Sequence, residues 1–80
     1  MNRMQFPDKE TVARIRKEYP PGTRVELLEM ADVQAPPVGT KGTVLWADDV
    51  GDLCMHWDTG SSLKVVLSED RVRKVNSTEE

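Results

Sequence analysis

The stretch Gly39-Thr40-Lys41-Gly42-Thr43-Val44-Leu45-Trp46, continued by Asp48-Asp49-Val50-Gly51-Asp52-Leu53-Cys54-Met55-His56-Trp57-Asp58-Thr59-Gly60-Ser61-Ser62-Leu63, decides the fold. Its apolar residues recur with a period of two, and Gly and Asp cluster where a chain reverses. It reads as three short strands joined by two turns. Thr43 to Ala47 and Asp52 to Trp57 are strands around the turn Asp48-Asp49-Val50-Gly51, where Gly51 can take positive φ. Leu53, Met55 and Trp57 share one face, and Cys54 and His56 share the other. Asp58-Thr59-Gly60 is a second tight turn. It leads into Ser62 to Leu67, with Leu63, Val65 and Leu67 inward.

Working outward, Thr23 to Met30 is an earlier strand. Val25 and Leu27 alternate with Arg24 and Glu26, then Leu28 and Met30 take over the apolar phase. A one-residue change of phase swaps the faces, so a bulge or bend is expected near Leu27-Leu28. Ala31 to Val38, with Pro36-Pro37, is a loop, and Arg71 to Val75 is a short last strand. At the N-terminal side, Asp8 is an N-cap for a helix over Lys9 to Glu18. Val12, Ile15 and Tyr19 form its narrow apolar stripe. Tyr19 precedes Pro20 and so avoids the helical region, and Pro20-Pro21-Gly22 is a stiff link. Such a helix is marginal alone and must dock its stripe on the rest of the chain or on a second copy.

The expected architecture is therefore all-β with an N-terminal helix: a small five-stranded SH3-like barrel. Residues 1–22 form the helical arm and Pro-rich link, 23–75 the barrel, and 76–80 a disordered tail. An OB-like barrel is the competing topology. Val25, Val44, Met55, Trp57, Leu63 and Val65 are the expected core.

Size and composition bound the function. Eighty residues make one domain, and such a chain buries only about 60% of its unfolded surface. The aromatics are just Phe6, Tyr19, Trp46 and Trp57. No apolar run approaches the roughly 20 residues that span a bilayer. Met1 to Pro7 lacks the apolar core of a secretion signal. The single cysteine, Cys54, leaves no intrachain disulfide, and a reducing, cytoplasmic setting is expected. Charge is segregated. Residues 1–24 hold six basic side chains against three acidic ones, whereas residues 25–63 hold Lys41 against seven acids. Arm and barrel then either complement each other or the arm meets an acidic partner or nucleic acid.

Several motifs resemble a known family. They are Tyr19-Pro20-Pro21-Gly22-Thr23-Arg24-Val25-Glu26-Leu27, Ala35-Pro36-Pro37, Gly39-Thr40-Lys41-Gly42-Thr43-Val44, Asp48-Asp49-Val50-Gly51, Trp57-Asp58-Thr59-Gly60-Ser61-Ser62-Leu63 and Glu69-Asp70. From about Asp8 to Val75 the chain resembles the bacterial family known as domain of unknown function 4314. It departs from that pattern near Leu67-Ser68, where a Pro-Gly turn is common. The Gly-Thr-Val and Trp-Asp-x-Gly order is also similar to SH3-like barrels of the Mib–Herc2 type, which bind peptides. The resemblance implies fold and a setting among phage and mobile-element proteins. It supplies no activity and no catalytic residues.

No constellation carries catalysis. Cys54 and His56 could make half a zinc site or a Cys–His nucleophile, but with no second His or Cys the shell would need Asp or Glu, and a small barrel offers little of the cleft and orienting group that a nucleophile requires. Asp48, Asp49, Asp52 and Asp58 lack calcium-loop spacing, and Asp in a turn usually caps its own backbone. No catalytic residue, metal site or cofactor is assigned. The reading is a non-catalytic binding or adaptor module for a protein or peptide. Its candidate site is a rim made by Trp46, Asp48, Asp49, Pro36 and Pro37, with the acidic turn favouring a basic ligand. The alternative is a nucleic-acid-associated accessory protein using Arg14, Arg16 and Lys17 of the arm. A monomer or weak homodimer, with no membrane partner, is expected.

Overall fold

A computed structural model describes residues 8–80, so Met1 to Pro7 of the expected arm lie outside the described residues. Helix α1 spans Lys9–Glu18. Asp8 caps it as expected, its side chain accepting from the Thr11 amide at 2.8 Å. The Tyr19 amide closes the last turn on the Ile15 carbonyl at 2.8 Å. Four strands follow: β1 (Arg24–Glu29), β2 (Lys41–Ala47), β3 (Leu53–Trp57) and β4 (Arg71–Lys74). They form one antiparallel open sheet in the order β3-β2-β1-β4. The expected break in β1 is present, the register against β4 shifting between Leu27 and Glu29.

The fifth strand is not formed. Ser62 to Leu67 contributes a single bridge, Leu53 to Val65, and no closed barrel results. Side chains take the backbone groups that a ladder would need. The Trp57 indole Nε1–H donates to the Leu63 carbonyl at 2.9 Å. The Ser61 hydroxyl accepts from the Leu63 amide, and Asp70 Oδ2 accepts from the Val66 amide. Leu63, expected in the core, is only half-buried for the same reason.

Val25, Leu27, Val44, Ala47, Leu53, Met55, Trp57 and Val65 form the core. Ile15 and Tyr19 of α1 pack on it, and Val12 is buried. The helix thus docks in cis. Arg16 of the basic arm pairs with Asp49 of the acidic segment at 2.9 Å, while Lys74 and Glu18 pair with the opposite polarity at 3.2 Å.

Asn76 to Glu80, expected to be disordered, carry a 3-10 turn over Ser77–Glu79. Asn76 and Glu79 cap each other reciprocally. Carboxylates of Glu79 and Glu80 also pair with Arg73 and Arg24.

Candidate binding surface

The β2–β3 hairpin decides where Trp46 points. Val44 opposes Met55 and faces the core, but the next pair is Trp46 with Cys54. Leu45 is therefore an extra residue, a bulge, which re-aims the side chains after it. Strict alternation would give Trp46 the same inward phase as Val44. The bulge instead sends Ala47 inward, 6% exposed, and leaves Leu45 and Trp46 outward at 41% and 54%. Val50, in the following turn, is also exposed. Cys54, across the ladder from Trp46, is buried, whereas His56 is exposed. No group of three or more metal-ligating side chains occurs among the described residues.

Asp48 and Asp49, the acidic residues expected beside Trp46, are largely engaged within the chain. Asp48 Oδ1 accepts from the amides of Val50 at 3.1 Å and Asp52 at 2.9 Å. Its Oδ2 accepts from Lys64 Nζ at 2.9 Å. Burial alone would push its carboxyl up, but Lys64 and the two amides outweigh this and hold it below the ordinary range. Asp52 moves the other way, raised by burial and then by the charge of Asp48. Asp49 projects into solvent and accepts from Arg16 Nη2 at 2.9 Å. Arg16 Nε also donates to the Ala47 carbonyl at 3.2 Å. One residue of the expected basic face thereby staples α1 to the hairpin. Arg14 and Lys17 are exposed beside it.

Pro36 and Pro37 do not join this surface. They precede β2, whereas the Asp48–Asp52 turn follows it, so the two lie at opposite ends of the strand. Pro36 is buried and Pro37 exposed. The loop is held by ordinary turn chemistry. Asp32 Oδ1 accepts from the Gln34 amide at 2.7 Å, and the Thr40 amide returns to the Pro37 carbonyl at 3.0 Å. It borders instead a 550 Å³ groove lined by Met30, Asp32, Ser62, Lys64, Glu69 and Asp70 among others.

Sequence reading missed Leu45, because only the bulge makes it a neighbour of Trp46 on the outer face. It also missed a charged row. Lys41, Glu26 and Arg73 are cross-strand neighbours on β2, β1 and β4. Alternation on three separate strands signals each residue's face, but nothing local brings the three together.

Fold and surface together define a small, mostly β domain: an open four-stranded antiparallel sheet with one helix docked on its core. No described helix is long and apolar enough to cross a membrane. The chain belongs to the family described as Domain of unknown function (DUF4314), whose pattern matches residues 8–75. No curated protein and no solved structure matches it.

Proposed function

We propose that this domain is a non-catalytic binding module that takes an apolar segment of a protein or peptide partner on the shelf formed by Leu45 and Trp46. The observation that carries this reading is the bulge that presents two large apolar side chains side by side on the outer face. Exposed large aromatics are the side chains that most often anchor an interface. Asp48 is occupied by Lys64 and the turn amides, so apolar contact, not attraction of a basic ligand, leads recognition. The sheet is read as an SH3-like barrel left open, with residues 58–70 standing where a fifth strand would run. The Leu53–Val65 bridge supports that reading.

Trp46→Ala tests it. Immobilised parent and variant are offered the same cell lysate, and both are melted. Capture should weaken by about 2 kcal/mol or more while the melting temperature hardly moves. A large fall in melting temperature with unchanged capture refutes the shelf. Capture of nucleic acid that weakens steeply with salt and depends on Arg14 and Lys17 would replace it with an electrostatic mode.

A further inference from the structure

We propose that the cationic part of the outer sheet face is a second recognition site, specific for an acidic peptide segment of a partner protein, which the chain's own Glu79 and Glu80 occupy in cis. Lys41, Glu26 and Arg73 form one cross-strand row, and Arg24, Thr43 and His56 form the next. Arg24 grips two carboxylates with one guanidinium. It donates to Asp58 Oδ1 and Oδ2 at 2.8 and 2.7 Å, and to Glu80 Oε2 and Oε1 at 2.9 and 3.1 Å. A third contact, to Thr43 Oγ1 at 3.1 Å, fixes its plane. Paired parallel bonds of this kind match a carboxylate's two oxygens. Glu79 is held by its side chain and its backbone. Arg73 Nη1 donates to Oε2 at 2.8 Å, and Lys41 Nζ donates to the carbonyl at 3.0 Å.

Two features make the tail an exchangeable occupant. Val75 is buried, and the residues described beyond it, Asn76, Thr78, Glu79 and Glu80, contribute nothing to the buried core. Asn76, Thr78, Glu79 and Glu80 are exposed, and charged side chains on the sheet, Arg24, Lys41 and Arg73, donate the hydrogen bonds described above to Glu79 and Glu80. The paired side chains of Arg24, Arg73, Glu79 and Glu80 keep 29–45% of their surface in water, so a competing carboxylate can reach and displace them. The site's own charge selects its ligand. Three cations, Arg24, Lys41 and Arg73, stand against two fixed carboxylates, Asp58 and Glu26. That small positive excess suits one or two carboxylates, and the two resident acids repel a phosphate backbone. The site is independent of the Leu45–Trp46 shelf.

The test uses the full chain carrying Glu79→Gln and Glu80→Gln. Gln keeps the capping box, so the turn survives while the carboxylates are lost. A fluorescent peptide copying residues 76–80 is titrated by anisotropy against parent and variant. If the tail closes the site about nine times in ten, the variant binds the peptide about tenfold more tightly than the parent. Adding Arg24→Ala should abolish binding, and a peptide with Gln in place of both Glu residues should not bind. On the unmodified chain, excess peptide should shift the Glu79 and Glu80 amide resonances as the tail is displaced, which reads the site even if the variant folds poorly. Equal binding by parent and variant, binding that survives Arg24→Ala, unmoved tail resonances, or preferential binding of duplex DNA by the variant would each overturn the proposal.

Discussion

Gly42→Ala should destabilise this domain far more than its modest chemistry suggests. Gly42 lies inside β2, paired with Trp57 of β3. A Cβ placed there would stand 2.6 Å from Trp57 Cε3, 3.0 Å from Cδ2 and 3.2 Å from the His56 carbonyl oxygen. Carbon atoms in ordinary contact sit about 3.5–4.0 Å apart, so the indole must retreat by about 1 Å. It has nowhere to go, being 0% exposed within the core. Overpacking of this kind costs about 1–3 kcal/mol. The retreat also stretches the 2.9 Å bond from the indole N–H to the Leu63 carbonyl. Loosening that bond costs about another 1 kcal/mol. Against this, alanine restricts the unfolded chain and returns about 0.4–1 kcal/mol. The net loss is about 1–3.5 kcal/mol, or roughly 5–25 °C in melting temperature for a domain of this size. Thermal unfolding followed by far-UV and tryptophan near-UV circular dichroism measures it. Trp57→Leu removes the obstacle, so Gly42→Ala made in that background should cost clearly less. A Gly42→Ala protein melting within about 3 °C of the parent, or a double variant showing simple additivity, refutes the packing argument.

Trp57→Ala should cost about 3–5 kcal/mol, because it empties the centre of the core and orphans the Leu63 carbonyl; a melt shifted by only a few degrees would misplace the core. Arg16→Ala removes the bonds to Ala47 and Asp49, so amide exchange over residues 10–18 should quicken while that of β1 and β2 stays slow; unchanged exchange would mean the apolar stripe alone holds α1. Hydrogen bonds from Arg24 hold Asp58 and Glu80 below the ordinary carboxylate range, and one from Arg73 does so for Glu79. Because the unfolded chain binds those protons more readily, their contribution is complete above about pH 4–5 and is lost as pH falls through the lower folded values. Asp52, raised by burial, works in the opposite sense and offsets part of the loss. The melting temperature should accordingly be level near neutrality and drop below about pH 4, more gently in Glu80→Gln; a rise on acidification would contradict the pairing.

Elements whose causes are local are legible along the chain. Asp8 and the Tyr19-Pro20 junction bound the helix, because a cap and a pre-proline residue act on their immediate neighbours. Alternation placed Val25, Val44, Met55, Trp57 and Val65 inside, and the phase change in β1 announced its bulge. The remaining features arise from how the strands pair and pack. Ser62 to Leu67 has the pattern of a strand, yet Trp57, Ser61 and Asp70, each within six residues along the chain, claim its backbone groups, and its one ladder contact is the Leu53–Val65 bridge. The bulge at Leu45 depends on pairing with β3, and it turns Trp46 from the core phase to the surface. Pro36-Pro37 and Asp48-Asp49 are close in sequence, but an extended strand of seven residues between them puts them at opposite ends of the sheet. The tail, expected to be disordered, is held in both ways: the Asn76–Glu79 capping box is local, whereas Arg24, Lys41 and Arg73, from three separate strands, converge on it from one face. Period and capping are properties of neighbours along the chain, whereas strand register and charge convergence belong to neighbours in space.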